Sequence, residues 1–309
     1  IMIYFTFVEV SIFIAILGSI VFMFLFTINY IDDYKCKKSI QINSLTFYKA
    51  FSKIKSRKKR KAIYAVYDFC RYADDLVDEY QDEEKLNKLE KDLIKHISGT
   101  YVNSYRFRAL KRHTYKLYDK DDYQAFFDMI KGQKMDLHGY EYKTLDDLLT
   151  YSYYVAGTVG LMLVPILAYK DKKELKDFAI HLGYGMQITN ILRDIGEDYK
   201  LNRIYIPKDM MDKAKYTIDD LKSGTINNEF KVLFEKLAHL AETYFNEALQ
   251  KIDLFPKDSR KPLAYSIILY KAILDQCRAS DYDVFSKKNF VSDEKKIEII
   301  KAYEMEIGA

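Results

Sequence analysis

Amphipathic helical periodicity runs through nearly the whole chain after residue 31, and it constrains the fold more than any other feature. Apolar residues recur every three or four positions, and no segment shows the alternation typical of a half-buried strand. Glycine (11) and proline (4) are scarce among 309 residues, so few positions interrupt a helix. The periodicity is clearest at 58–79, 123–139, 145–167, 172–199, 228–252 and 261–279. No Pro-, Gly- or Ser-rich linker divides these segments, and we predict a single all-α domain over residues 32–309.

Residues 1–31 form an apolar segment unlike the rest of the chain. No charged side chain lies between Val10 and Ile31, and about 20 consecutive apolar residues can span a bilayer as a helix. Basic residues follow from Lys35 onward, which favours the cytoplasmic side for the helical domain. The segment lacks the basic start and small-residue cleavage site of a signal peptide. We therefore expect a membrane anchor, with the domain at the cytoplasmic face. The alternative is a translated upstream stretch or a wrongly placed start, because the chain opens with Ile1.

A basic run at residues 53–61 carries seven Lys or Arg side chains in nine positions. Such runs usually form solvated loops and helix starts. Beside a membrane anchor, the run also suits anionic lipid headgroups, where each basic residue adds about 1 kcal/mol of attraction. The net charge of +4 is modest and does not indicate nucleic acid as a partner. Membrane lipid is therefore the partner that we expect for the N-terminal segment and the basic run.

The first of two aspartate-rich segments is YDFCRYADDLVD at residues 67–78. On a helix, Asp74 and Asp78 lie one turn apart on a shared face, and Arg71 precedes Asp74 by one turn. Carboxylates at this spacing suit Mg²⁺, which prefers oxygen ligands and keeps water and phosphate oxygens in its shell. Alone, this segment is weak support for a site, because surface helices often carry such pairs.

The second aspartate-rich segment, residues 187–198, strengthens the interpretation. Gln187, Asn190, Asp194 and Asp198 recur every three or four positions on an otherwise apolar helix. Such a polar stripe is costly to bury without ligands. The amide oxygen of Asn190 can bind a metal, and Arg193 can clamp phosphate oxygens in a fork geometry. A solvated face is the alternative, but the recurrence of the pattern in two helices favours a joint magnesium–diphosphate site.

These motifs resemble the squalene/phytoene synthase family of trans-type, head-to-head prenyl synthases. The resemblance covers about residues 35–285. It rests on CRxxDDxxD at 70–78, VAGTVG at 155–160, and QxxNILRDxxED at 187–198 followed by RIYxP at 203–207. It implies the all-α isoprenoid synthase fold with a central active-site cavity. Within the family, the chain resembles the bacterial dehydrosqualene synthases of thirty-carbon carotenoid pathways.

The resemblance implies a role for each residue that matches a family motif. The implied ligands of two or three Mg²⁺ ions bridging the substrate diphosphates are Asp74, Asp78, Asn190, Asp194 and Asp198. The implied substrate-binding residues are Ser44, Thr46, Tyr67, Arg71, Gln187, Asn190, Arg193, Arg203 and Tyr270. The implied catalytic residues are Tyr67, Arg71, Arg193 and Tyr151. In the early His-Ser-x-Ser-Phe segment of the family, this chain has Asn43 in place of His and keeps a hydroxyl at Thr46. The VAGTVG segment is a pocket wall in the family, whereas its small residues alone equally suit close helix packing.

The implied reaction joins two allylic diphosphates through a cyclopropylcarbinyl intermediate, presqualene diphosphate, with release of diphosphate. Mg²⁺ and arginine neutralise the leaving group, apolar helices shield the allylic cation from water, and tyrosine faces stabilise cationic carbon. Aromatic side chains at Phe47, Phe51 and Tyr64 are expected to shorten the cavity and favour fifteen-carbon substrates. We therefore expect two farnesyl diphosphates to give dehydrosqualene for carotenoid biosynthesis, without NADPH.

Several alternatives stay open. Squalene synthases use NADPH, and phytoene synthases join two geranylgeranyl diphosphates, with the same family motifs. Terpene cyclases and head-to-tail prenyltransferases usually carry a different second motif, so residues 187–198 argue against them. A non-catalytic, membrane-tethered helical binding protein would tolerate Asp78→Ala and Asp198→Ala without loss of function. The sequence gives no indication of the oligomeric state.

Overall fold

The computed structural model describes residues 7–168 and 174–308, and within these ranges it contains fourteen α-helices and no strand. The predicted all-α class is therefore confirmed. The helices are α1 (Phe7–Asn43), α2 (Leu45–Phe51), α3 (Arg57–Asp78), α4 (Glu83–Ile97), α5 (Tyr105–Thr114), α6 (Gln124–His138), α7 (Leu145–Ser152), α8 (Thr158–Leu167), α9 (Glu174–Lys200), α10 (Lys208–Ala214), α11 (Ile218–Ser223), α12 (Asn228–Gln250), α13 (Lys257–Ala279) and α14 (Asp293–Glu306).

The long helices lie where the periodicity predicts them. The segments at 58–79, 228–252 and 261–279 correspond to α3, α12 and α13. The start of the segment at 172–199 lies outside the described residues, and α9 begins at Glu174. The segment at 145–167 is not one regular helix, because a π-helical turn at Tyr153–Gly157 separates α7 from α8. Such turns occur often at functional sites.

The two helices that carry the aspartate-rich segments are central to the packing. α3 packs against α1, α5, α6 and α8, and α9 packs against α8, α12 and α13. Where α9 crosses the π-helical turn, a Cβ on Gly183 would lie only 2.5 Å from the backbone nitrogen of Gly157. Glycine is therefore needed at position 183. Within the VAGTVG segment, the close-packing interpretation is correct for Gly160, where a Cβ would lie 2.6 Å from the Ala179 carbonyl oxygen.

α1 is continuous across the boundary predicted at residues 31 and 32. Its C-terminal part packs on α3 and α5, whereas its apolar N-terminal part is exposed; residues 1–6 lie outside the described part. By length and composition, residues Val10–Asn43 and Leu145–Leu167 could each span a membrane, and the second stretch is partly buried.

An ionic cluster fixes α1 to the domain just after its apolar part. Asp32 accepts hydrogen bonds from Arg108 and Arg112 at 2.8–3.0 Å. Asp33 pairs with Lys61 at 2.6 Å and with Arg112 and His113 at 2.7 Å. Burial raises the pKa of Asp33, but the bonds from His113 and Lys61 outweigh burial and lower it to about 2. The apolar N-terminal part of α1 therefore emerges from the domain at a fixed place.

Candidate active site

A cavity of about 300 Å³ lies among α2, α3, α8, α9 and α13. Along α3 its lining changes from Ile63 and Val66 to Arg71 and Asp74, and α9 shows the same change toward its C-terminal end. The cavity therefore has an apolar body and a polar end formed by the two aspartate-rich segments. Its polar lining residues are Tyr67, Arg71, Asp74, Gln133, Tyr151, Gln187, Asn190, Ser266 and Tyr270.

At the end of α3, the first aspartate-rich segment forms ion pairs with arginines. Arg71 pairs with Asp74 at 3.0 Å and also with Asp75. Arg203, which follows α9, pairs with Asp78 at 2.6 Å. Burial raises the pKa of Asp74 to about 7, and repulsion from Asp78 adds to the increase despite the opposing Arg71 charge. These carboxylates therefore lie close enough to repel one another.

The carboxylates of the second aspartate-rich segment also lie close enough to repel one another. Arg193 Nε donates to Asp194 Oδ1 at 2.7 Å, and Lys288 Nζ lies 3.4 Å from the same oxygen. Burial raises the pKa of Asp198 to about 7, and repulsion from Asp194 contributes next. The buried amide oxygen of Asn190 accepts no hydrogen bond from the described residues. An unpaired oxygen beside mutually repelling carboxylates fits a divalent cation with oxygen ligands.

Most of the implied site residues lie together. Tyr67, Arg71, Asp74, Tyr151, Gln187, Asn190 and Tyr270 line the cavity. The ion pair between Arg203 and Asp78 joins the segment after α9 to the end of α3. Among residues 7–168 and 174–308, no group of three or more His, Cys, Asp or Glu side chains is arranged to hold a metal ion by itself. Arginine pairs hold Asp74, Asp78 and Asp194 in this structure.

The early segment contributes to the cavity differently from the expectation. Ser44 precedes α2, and neither it nor Thr46 lines the cavity. Phe47 and Phe51 do line it, and the Phe47 ring stacks on Tyr270 with centroids 5.3 Å apart. The expectation that Tyr64 shortens the cavity is wrong. Its ring packs against Tyr48, with centroids 6.0 Å apart, and is not part of the lining.

The VAGTVG segment also forms part of the cavity wall. Val155, Ala156, Val159 and Gly160 line it, while Gly157 meets Gly183 at the helix crossing. Both interpretations of this segment are therefore correct, and both apply to Gly160, which lines the cavity and packs closely against Ala179 of α9.

Three residues near the site have no role among the implied site residues. Asp136 on α6 accepts hydrogen bonds from the hydroxyls of Tyr151 and Tyr205. Lys288 reaches the second aspartate-rich segment from the chain beyond α13 and also pairs with Glu197 at 2.6 Å. Tyr205 belongs to the RIYxP motif, so its presence could be anticipated. Asp136 and Lys288 belong to no motif, and only the tertiary structure brings them to the site.

The model of the family described as squalene/phytoene synthase matches residues 42–295. The chain belongs to the squalene/phytoene synthase family. Members of this family are prenyltransferases of isoprenoid biosynthesis. The predicted family is therefore confirmed.

Curated relatives include phytoene synthases of plants. The chain is 36% identical over 248 residues to the chloroplastic phytoene synthase 1 of Solanum lycopersicum, covering 77% of this chain and 60% of that protein. It is 34% identical over 257 residues to the chloroplastic phytoene synthase of Narcissus pseudonarcissus, covering 77% and 58%. The chain thus spans about three fifths of the length of these relatives.

Solved structures show the same fold. A dehydrosqualene synthase crystallised with a ligand is 35% identical and superposes with a TM-score of 0.86, covering 92% of this chain and 99% of that one. The squalene synthase HpnC of Alicyclobacillus acidocaldarius is 25% identical, with a TM-score of 0.74 and coverage of 82% and 95%. The predicted isoprenoid synthase fold is therefore confirmed.

Proposed function

We propose that this chain condenses two farnesyl diphosphates head to head into dehydrosqualene, through presqualene diphosphate, in a Mg²⁺-dependent reaction. The observation that supports this proposal is a cavity that combines an apolar body with an end lined by both aspartate-rich segments. A prenyl diphosphate has the matching polarity: one long apolar chain and one highly charged head. The proposal assigns the product to carotenoid biosynthesis.

The charged end suits the binding and departure of diphosphate. Arg71, Arg193 and Arg203 offer guanidinium groups that can bind phosphate oxygens in a bidentate manner. Each is paired with a carboxylate in this structure. When bound, Mg²⁺ would be held by the carboxylates and the Asn190 amide oxygen and would neutralise the leaving diphosphate. The implied ligands are Asp74, Asp78, Asn190, Asp194 and Asp198.

The cavity body suits a carbocation. Its lining is mostly aliphatic and aromatic, which suits the shielding of a cation from capture by water. Tyr67, Tyr151 and Tyr270 line the cavity together with Arg71, Asp74 and Asn190 of the charged end, where the proposed ionisation would take place. Burial raises the pKa of all three tyrosines, so they remain neutral phenols whose rings can stabilise positive charge.

Two observations bear on the length of the substrate. Phe47 and Phe51 take up space in the cavity, which favours fifteen-carbon chains. The similarity to a dehydrosqualene synthase over nearly its whole length supports the same choice. The second candidate is condensation of two geranylgeranyl diphosphates to phytoene, which is favoured by the identity of 34–36% to plant phytoene synthases.

Product analysis distinguishes these candidates. The purified protein is incubated with Mg²⁺ and either farnesyl or geranylgeranyl diphosphate, with and without NADPH. We expect a thirty-carbon dehydrosqualene from farnesyl diphosphate in the absence of NADPH. A forty-carbon product formed only from geranylgeranyl diphosphate would make the chain a phytoene synthase. Squalene formed only with NADPH would make it a squalene synthase.

We also propose that α1 anchors the chain in a membrane, with the helical domain at the cytoplasmic face. The exposed apolar residues of α1 support this proposal. Fewer residues of the basic run are exposed than its seven positions suggest. Lys59 is buried and bonds to the Leu167 carbonyl oxygen and Asp258, and Arg60 bonds to the Ile54 carbonyl oxygen. The exposed basic residues of the run are Lys53, Lys55, Arg57 and Lys58.

Cell fractionation tests the anchor. The full chain is compared with a chain that begins at Asp32, which keeps the ionic cluster with Arg108 and Arg112. We expect the full chain in the membrane fraction and the shortened chain largely in the soluble fraction. Equal distribution of the two chains would contradict the anchor, whatever the enzymatic activity of either chain.

A further inference from the structure

Asp136 is a carboxylate that lies directly behind the cavity wall. Its Oδ2 accepts a hydrogen bond from the Tyr151 hydroxyl at 2.6 Å, and its Oδ1 accepts one from the Tyr205 hydroxyl at 2.9 Å. Tyr151 lines the cavity, whereas Asp136 does not. The hydroxyl hydrogen of Tyr151 is therefore directed away from the cavity and toward a carboxylate.

The two phenols that Asp136 holds are also packed against each other. The Tyr151 and Tyr205 rings stack with centroids 5.0 Å apart, and Tyr142 packs against both at 5.3 Å. Asp136 thus fixes the hydroxyl of each ring in a stacked pair. A ring restrained by packing and by a short hydrogen bond loses little further freedom when the reaction begins, so it is preorganised.

The same carboxylate lies close to the diphosphate end. Tyr205 is two residues from Arg203, which pairs with Asp78 and whose backbone N–H donates to the Asp198 carbonyl oxygen at 2.9 Å. Burial raises the pKa of Asp136 to about 6, although the hydrogen bonds from Tyr151 and Tyr205 oppose this increase. The carboxyl is therefore mostly ionised above that pH. A phenol that donates to an anion forms a stronger hydrogen bond and carries more electron density on its oxygen and ring.

We propose that Asp136 is a positioning residue for the condensation, which orients Tyr151 in the cavity wall and increases the attraction of its ring for cationic carbon. This inference rests on the proposed function, because it requires a carbocation in the cavity. Asp136 acts through Tyr151 and does not itself touch the substrate. Its effect is therefore on the rate of ionisation and coupling, with little effect on the binding of diphosphate or Mg²⁺.

The test begins with Asp136→Asn, which keeps the size of the side chain and removes its charge. We expect kcat to fall about tenfold to a hundredfold, because Tyr151 loses its hydrogen bond to a charged group and can donate at best to a neutral amide oxygen. KM for the prenyl diphosphate and the half-saturating Mg²⁺ concentration should stay within about twofold. Asp128→Asn is the matched control. Asp128 lies on the same helix and accepts a hydrogen bond from Tyr153 at 2.7 Å, but neither residue lines the cavity.

Double variants show whether Asp136 acts through Tyr151. In a Tyr151→Phe background, Asp136→Asn should reduce kcat little further, because the bond is already lost. In a Tyr205→Phe background, it should cause the same loss as in the wild type. If Asp136→Asn does not fold, as judged by circular dichroism, Tyr151→Phe alone must reproduce the loss of kcat at unchanged KM.

Two outcomes would overturn the inference. One is an equal loss of kcat from Asp136→Asn with and without the Tyr151 hydroxyl. The other is a raised Mg²⁺ requirement with unchanged kcat, which would make Asp136 part of the charge of the metal site. Both outcomes are measured on a wild-type protein that forms product. A wild-type protein that condenses no prenyl diphosphate would instead reject the proposed function.

Discussion

The carboxyl groups of Asp74 and Asp198 have raised pKa values, and this leads to a prediction about metal binding. Burial raises both pKa values to about 7, with repulsion from Asp78 and Asp194 as the next causes. Carboxylate ligands must be deprotonated to bind a metal. We predict that both groups hold protons in the metal-free protein at pH 6 and release them when Mg²⁺ and diphosphate bind.

The size of the effect follows from the two pKa values. With both at about 7, the pair carries about 1.8 protons at pH 6, about one at pH 7 and about 0.06 at pH 8.5. Each protonated ligand raises the Mg²⁺ requirement about tenfold at pH 6, so the two together raise it roughly a hundredfold relative to pH 8.5. The pKa values of Asp74 and Asp198 in the folded protein lie above the ordinary value of 3.8. Protonation of these two groups therefore contributes fully to the stability of the metal-free fold below pH 3.8, and this contribution is lost as the pH rises through 7.

Infrared spectroscopy measures these protons directly through the carboxyl C=O stretch. In the metal-free wild type, part of this band should disappear near pH 7, and Asp74→Asn and Asp198→Asn should each remove a share of that component. Adding Mg²⁺ with inorganic diphosphate at pH 6 should abolish the same component. The reasoning is refuted if neither variant changes the band near pH 7, or if Mg²⁺ and diphosphate leave it intact.

The other predictions concern stability, packing and substrate length. Burial lowers the pKa of His96 to about 4, so folding loses stability as the pH falls from the ordinary value of 6.5 through 4. His96→Phe should remove about 2 kcal/mol of the stability difference between pH 7.5 and pH 5 in urea unfolding, and an unchanged difference would contradict this. Gly183→Ala places a Cβ 2.5 Å from the Gly157 nitrogen and should cost about 1–3 kcal/mol in the same assay. Gly18→Ala serves as its control, because a Cβ there meets nothing within 4 Å. Equal stability of the two variants would contradict the close contact between Gly183 and Gly157. Phe51→Ala removes a ring from the cavity wall and should increase the use of geranylgeranyl over farnesyl diphosphate. Phe290→Ala, at an exposed ring, should leave that ratio unchanged, and the same ratio in both variants would exclude Phe51 as a determinant of chain length.

Local patterns were sufficient to predict the all-α class and most of the polar end of the cavity. The periodicity of α3 and α9 places Asp74, Asn190 and Asp194 on defined helix faces. The recurrence of the motif in both helices predicted that they contribute to one site. Spacing alone was not sufficient for Tyr64. A residue three positions before Tyr67 is rotated about 60° around the helix from it, and in the structure its ring packs on Tyr48 instead of lining the cavity.

Features that depend on distant parts of the chain could not be predicted from the sequence. Asp136 is an acid on α6 outside any motif, and only the packing of α7 and the segment after α9 brings two phenols to it. Lys288 reaches Asp194 from more than 90 residues away. For the basic run, the sequence indicated a solvated loop and helix start or a contact with lipid headgroups. Lys59 is instead buried, because Leu167, Asp258 and Ser259 provide oxygens for its ammonium group.

The most direct test of the magnesium–diphosphate site compares product formation by the wild type, Asp78→Ala and Asp198→Ala. Each protein receives farnesyl diphosphate and saturating Mg²⁺, and circular dichroism confirms its helical fold. Asp78→Ala removes one carboxylate from the first aspartate-rich segment, and Asp198→Ala removes one from the second. We expect the rate of product formation to fall at least about a hundredfold in each variant. Product formation at the wild-type rate by both folded variants would contradict a catalytic role for the paired aspartates.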